Sequence, residues 1–128
     1  MKHYNIQNYI RYKTDLEKTI ARIKIKEHYS LYDRNELITL FMPLVENIAR
    51  KFATSQQASG VMSILDLLQE GHLNLIKAVD RIDWDKMAES EDQEKTMKSF
   101  LSKRIKGGIR RAIDTNRGQM RLPEHVTN

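Results

Sequence analysis

Apolar residues along this chain recur three and four positions apart, the spacing that lines one face of a helix, and little interrupts them. Only five glycines and two prolines occur in 128 residues, too few for a turn-rich β-sandwich. The fold class expected is all-α: a compact bundle of about four helices, each burying one apolar stripe. The length suits a single domain. With 40% hydrophobic and 30% charged residues, the chain has globular rather than disordered composition.

Ile6, Ile10, Leu16, Ile20 and Ile23 predict a first helix over much of residues 4–27, with a joint around Tyr29 and Tyr32. Asp33 and Glu36 form a capping pair before a second helix, whose stripe is Leu37, Phe41, Leu44, Val45, Ile48, Ala49 and Phe52. Pro43 should kink or restart that helix, because it has no N–H to donate. The small, polar run Ala53–Gly60 reads as a surface connection. Ser63 then caps a third helix carrying Ile64, Leu68, Leu75, Val79 and Ile82, with Gly71 inside it at some cost to helicity. Residues 83–94 read as an exposed loop or short helix. A fourth helix, Lys95 to Asp114, carries Phe100, Leu101, Ile105, Ile109 and Ile113. Gly118 should close it, and Pro123 should stop anything regular beyond.

Charge is divided along the chain. Asp80 to Glu94 holds seven acidic residues against Arg81 and Lys86. From Lys95 onward there are nine Lys or Arg against Asp114 and Glu124, a local excess of +7. Such a basic end suits phosphates or another polyanion, although a solvated helix face has the same composition.

Catalytic chemistry is not legible. Without cysteine there is no disulfide framework, thiol nucleophile or cysteine zinc site. His3, His28, His72 and His125 are scattered, with no two at metal-ligand spacing on one helix, so no metal or other cofactor is expected. Gly107-Gly108 alone is too weak a signal for a phosphate loop. The carboxylates cluster only in the acidic segment, with no apolar neighbours to tune them for acid–base work. No run approaches the ~18 apolar residues of a membrane helix, and the N-terminus has no apolar signal core. These features predict a cytoplasmic binding protein, neither an enzyme nor a membrane protein.

Three blocks sharpen that expectation: LVENIARKFA (Leu44–Ala53), ILDLLQEGHLNLIKAVDRID (Ile64–Asp83) and MKSFLSKRIKGGIRRAIDTNRGQMRLPEHV (Met97–Val126). Together they resemble the second conserved region of the bacterial sigma-70 family, the promoter-recognising subunits of RNA polymerase. The Leu-Asp-Leu-Leu-Gln-Glu-Gly core and the Leu-Ile-Lys-Ala-Val that follows it carry the most specific match. The likeness spans roughly residues 34–126. It divides the chain into an N-terminal helix and joint, 1–32, and a region-2-like helical domain, 33–128, with an acidic insertion at 83–94.

The resemblance implies that the middle block docks on the clamp helices of the polymerase's largest subunit. Asp66, Gln69 and Glu70 would make polar contacts there, with Leu65, His72 and Ile76 beside them. Three- and four-residue spacing puts the three polar residues on one helix face. The plainer alternative is that Asp66 only caps its helix and Glu70 is solvated. The third block resembles the DNA-melting part, where a base of the promoter's minus-ten element is flipped out and the non-template single strand is held. Phe100 matches the aromatic involved, and the plainer alternative for it is core packing with Leu101 and Ile105. Lys103, Arg104, Lys106, Arg110 and Arg111 would contact the duplex–single-strand junction, and Arg121 would clamp phosphate beyond the helix.

Departures from the family pattern imply an altered promoter sequence or weaker unaided melting. Lys103-Arg104 replaces a tryptophan pair. Gly107 stands where an amide commonly reads the upstream base pair, and Arg110 occupies the other base-reading position. The chain ends at Asn128, without the downstream regions that bind the minus-thirty-five element and the polymerase flap. Two readings follow, a fragment of a longer factor or a minimal, divergent member of the kind a phage encodes, with an accessory protein replacing the upstream recognition. Acting on the nucleoid, or in host cytoplasm if phage-encoded, it would initiate transcription. The rival readings are a sigma mimic that occupies polymerase and inhibits or diverts the host factor, and a basic single-strand-binding module that leaves Asp66, Gln69 and Glu70 unexplained.

Overall fold

The computed structural model describes residues 6–55 and 62–127, with side chains for residue 8 and for 10–55 and 62–117. Among the described residues all regular structure is helical: α1 (Ile6–Arg22), a 3₁₀ turn (Tyr29–Leu31), α2 (Arg34–Leu40), α3 (Met42–Thr54), α4 (Ile64–Val79), α5 (Trp84–Glu89) and α6 (Gln93–Thr127). The all-α expectation holds, with six α-helices in place of about four.

Local chemistry accounts for most of the extra divisions. Pro43 restarts the helix: α2 ends at Leu40, Phe41 takes φ −103° and ψ 7°, and Pro43 enters the first turn of α3, where a missing N–H costs little. The acidic segment resolves into the short helix α5, because the Asp83 carboxylate accepts the N–H groups of Asp85 and Lys86 at 3.2 Å each. Asp33 and Glu36 cap each other at 2.8 and 3.0 Å, as their spacing predicts. Helix α1 stops five residues before the expected end at 27, at Arg22. Beyond it the Lys26 N–H donates to the Tyr32 hydroxyl at 2.9 Å, turning the chain towards α2. Residues 56–61 of the expected polar connection lie outside the described residues.

Helix α6 departs from expectation at both ends. It begins at Gln93, with Asp92 accepting the Lys95 N–H at 3.1 Å, and it continues past Gly118 and Pro123 to Thr127. Neither stop signal forbids continuation. Glycine tolerates helical dihedrals at about 1 kcal/mol, and an interior proline removes one backbone bond at about 3 kcal/mol.

The core lies where α4 meets α3 on one side and α6 on the other. Met97, Leu101, Ile105, Ile109 and Ile113, each four residues apart, bury one edge of α6 as far as Ile113. They face Leu67, Leu75 and Ala78 of α4 within one cluster that also takes in Val45, Ile48 and Ala49 of α3. Two glycines set the spacing. A Cβ on Gly71 would stand 2.6 Å from Cγ1 of Val45, and one on Gly108 would stand 2.0–2.2 Å from the amide group of Asn74. The helicity given up at Gly71 is therefore recovered as close helix contact.

Candidate functional site

Helix α4 presents two exposed regions, an outward strip over its first turns and a groove wall at its C-terminal end. Its buried stripe is Leu67, Leu68, Gly71, Asn74, Leu75, Ala78 and Val79. At 100° per residue, Leu65, Asp66, Gln69, Glu70, His72 and Ile76 all fall on the opposite half. Leu65, Asp66 and Gln69 are exposed, while Glu70, His72 and Ile76 are half-buried along the margins. The helix thus brings the six residues of the expected docking face to one side.

Their roles within the fold differ. Asp66 completes a capping box: its N–H donates to Ser63 Oγ at 3.1 Å, and its carboxylate accepts the Ser63 N–H at 3.3 Å. Asp66 therefore has a structural task whatever else it contacts. His72 is engaged by α1, with its Nε2 3.2 Å from the Tyr12 hydroxyl. Burial lowers its pKa below the ordinary histidine value, so the neutral ring is favoured. Helix α1 is held further by Glu46 of α3, a buried carboxylate 3.7 Å from Lys13 and 3.4 Å from Arg50. The sequence reading passed over Leu73. It is 45% exposed beside Leu65 at 41%, and its position four residues after Gln69 on the outward row was the available signal.

Towards the C-terminal end of α4, this helix and α6 enclose a groove of about 420 Å³. Lys103, Arg104 and Arg111 of α6 line one wall, Lys77 and Arg81 the other, and Asn74, Ala78 and Gly107 the floor. Five cationic side chains and no carboxylate face this space. Lys77 and Arg81 were missed because charge was weighed along the sequence rather than across helices. Lys77 lies in the last turn of α4 and Arg81 just beyond its C-cap, Asp80, and both line the groove. Asp80, between them and the 3₁₀ turn, is drawn away by Arg34, which grips its carboxylate in a fork at 2.6 and 3.0 Å. That pairing holds the Asp80 pKa below the usual carboxylate range.

Gly107 differs from its neighbour. A Cβ there would meet nothing within 4 Å, so packing does not require a glycine. Its absence leaves helix backbone exposed at the groove floor.

The remaining residues predicted to bind DNA divide. Phe100 is half-buried against the core, and the Arg104 guanidinium lies 4.8 Å from its ring centre. The ring combines the packing and exposed-aromatic readings, with its open face occupied by a cation. Arg110 lies over the Phe52 ring at 5.8 Å and, with Arg117, lines a separate hollow of about 140 Å³. Lys106 is half-buried and outside the groove lining. The Arg121 side chain lies outside the described residues. Among the described residues no three His, Cys, Asp or Glu side chains gather as a metal site, and no helix is long and apolar enough to cross a membrane.

Comparison with known proteins bears on these surfaces. The chain is 30% identical over 109 residues to the RNA polymerase sigma-C factor of Nostoc sp., covering 85% of this chain. It is 29% identical over 111 residues, 87% of the chain, to the RNA polymerase sigma factor RpoD of Helicobacter pylori. The likeness supports a sigma-70 family relationship. The matched stretch amounts to 23% of the Nostoc factor and 15% of the Helicobacter factor, so this chain corresponds to a minor part of either. No family model matches the chain, and no solved structure does.

Proposed function

We propose that this chain acts as a sigma-factor-like transcription initiation subunit. The outward side of α4 docks on the clamp helices of the RNA polymerase core, and the groove between α4 and α6 holds minus-ten promoter DNA. The observation that carries this reading is the division of α4 itself. Its first turns carry an uncrowded strip of Leu65, Asp66, Gln69 and Leu73, while its C-terminal end, from Lys77, opens into a five-cation groove with α6.

The physics of each side fits its proposed partner. Exposed leucines flanking a carboxylate and an amide suit a protein surface that buries an apolar centre and satisfies polar groups at its edge. Cations on two converging helices suit the closely spaced charges of nucleic acid, whose affinity comes from releasing counterions. Phe100 offers a stacking platform worth ~1–3 kcal/mol per base. Using it requires the Arg104 guanidinium to swing off the ring onto phosphate. The work is binding throughout: no bond is made or broken by this chain and no cofactor is involved. It acts where polymerase does, on the nucleoid in bacterial cytoplasm.

The Arg104–Phe100 stack also favours a second reading, a sigma mimic that occupies polymerase without opening DNA. Transcription by core polymerase and this chain on a template with a pre-melted minus-ten bubble separates the two. A specific transcript is expected of an initiation subunit. Core binding without one would establish the mimic, and absence of core binding would overturn both.

A further inference from the structure

Helix α5 and the 3₁₀ turn carry a third surface that neither the outward strip of α4 nor the basic groove uses. Trp84, the single tryptophan of the chain, is 37% exposed and forms the ridge between two grooves of about 330 Å³ each. Met87 and Ala88 line one groove and Leu37 and Val79 the other, while Ser30 of the 3₁₀ turn lines both. The indole N–H has no hydrogen-bond partner among the described residues. A large rigid ring left between two hollows, with a free donor, has the character of an interface anchor rather than of incidental surface.

The charge around this ridge selects what covers it. Asp83 and Asp85 flank Trp84 in sequence, and Glu89 and Glu91 end α5 and follow it; all four are exposed, against the cations Lys86 of α5 and Arg34, the latter held by Asp80, which leaves the ridge net acidic. Among the described residues none of them forms an ion pair. Such a field repels nucleic acid and attracts cations, and a Lys or Arg can also lie on the indole face.

We infer that the Trp84 ridge is a docking site for a basic amphipathic helix of a partner protein. Apolar side chains of that helix enter the two hollows, and its lysines or arginines meet Asp83, Asp85 and Glu89. This inference is independent of the sigma-factor reading, because it uses no residue of the α4 face or the basic groove.

Trp84 fluorescence reads the site directly in the full chain. The probe is a helical peptide of about 14 residues, roughly four turns, with leucines on one face and lysines on the other. Saturable binding with a blue shift of Trp84 emission is expected, weakening as salt rises. A peptide with the leucines replaced by serine should bind at least about tenfold more weakly, a difference of ~1.4 kcal/mol. A peptide with glutamates for lysines should not bind. Ala88→Arg, on the exposed lip of one groove, should weaken binding by a similar factor with an unchanged thermal melt. The inference is overturned if the emission does not move or if the serine peptide binds equally. It is also overturned if Ala88→Arg has no effect, if a single-stranded oligonucleotide produces the same shift, or if the shift grows with protein concentration alone, since a second copy would then cover the ridge.

Discussion

The two exposed regions of α4 differ in how they can hold a partner. The outward strip carries Leu65 and Leu73 around Gln69 and Asp66, so its contacts act at short range. The groove side adds Lys77 and Arg81 to three cations of α6 and projects a field several ångströms beyond the surface. The difference teaches that one helix can serve two partners, because shape selects one and charge the other. It also separates them by salt. With about five phosphates met on a single strand, and a slope near −0.7 for each, DNA affinity should fall about a hundredfold between 50 and 200 mM salt. Polymerase docking should change only a few-fold over the same range. Equal slopes in paired titrations would erase the distinction.

The two sides share one support, and removing it should affect both. Gly108→Ala places a Cβ inside the Asn74 side chain, whose Nδ2 donates to the Glu70 carbonyl at 2.8 Å. Displacing the Asn74 amide from that bond, or α6 from α4, should cost about 1–3 kcal/mol of stability, seen as a lowered denaturation midpoint, with docking and DNA binding declining together. An unchanged midpoint would mean that the helices do not rely on this close approach.

Gly107→Ala tests the groove alone. Its Cβ enters open space, so the helix should gain about 0.5–1 kcal/mol from the better helix former. If the bare backbone admits DNA, the same change should weaken DNA binding several-fold while the melting temperature rises. A rise in both would show that the floor is unused.

These two adjacent glycines also mark how far the sequence could be read. Capping at Asp33 and Ser63 was legible because it depends on residues three apart, and so was the restart at Pro43. The α6 stripe was equally plain, since its four-residue spacing repeats from Met97 to Ile113. Gly107 and Gly108 could not be told apart, because the difference lies in Asn74 on another helix. The hydrogen bond between Tyr12 and His72 spans 60 positions and leaves no local pattern. Arg81 was hidden among acids, and Lys77 among the apolar residues of α4, until the fold brought them beside Arg111. The six residues taken from the middle block share one half of α4, as their spacing implies, and Leu73, exposed among them, was not one of the six.

His72 gives the smallest expected effect. Burial places its folded-state pKa below the ordinary value of 6.5, so as pH falls the unfolded chain takes up the proton first. Stability present above that value is therefore lost as pH falls through it towards the lower folded-state pKa. The loss should be small for a half-buried ring, and it should loosen α1 along the margin of the outward face. Hydrogen exchange of α1 amides at neutral pH and near pH 5 measures it, with His72→Asn expected to flatten the response. Faster α1 exchange at low pH that persists in His72→Asn would assign the effect to another group.

The central claim, two partners on two separate regions of one helix, is tested most directly by recruiting fluorescently labelled minus-ten single strand to polymerase core. The wild-type chain should carry the strand onto the core. Leu73→Asp, which buries a charge in the proposed contact, should lose the core while retaining the strand. Arg111→Glu should keep the core and lose the strand. Either variant losing both partners while its thermal melt is unchanged, or neither variant losing any, would contradict the account.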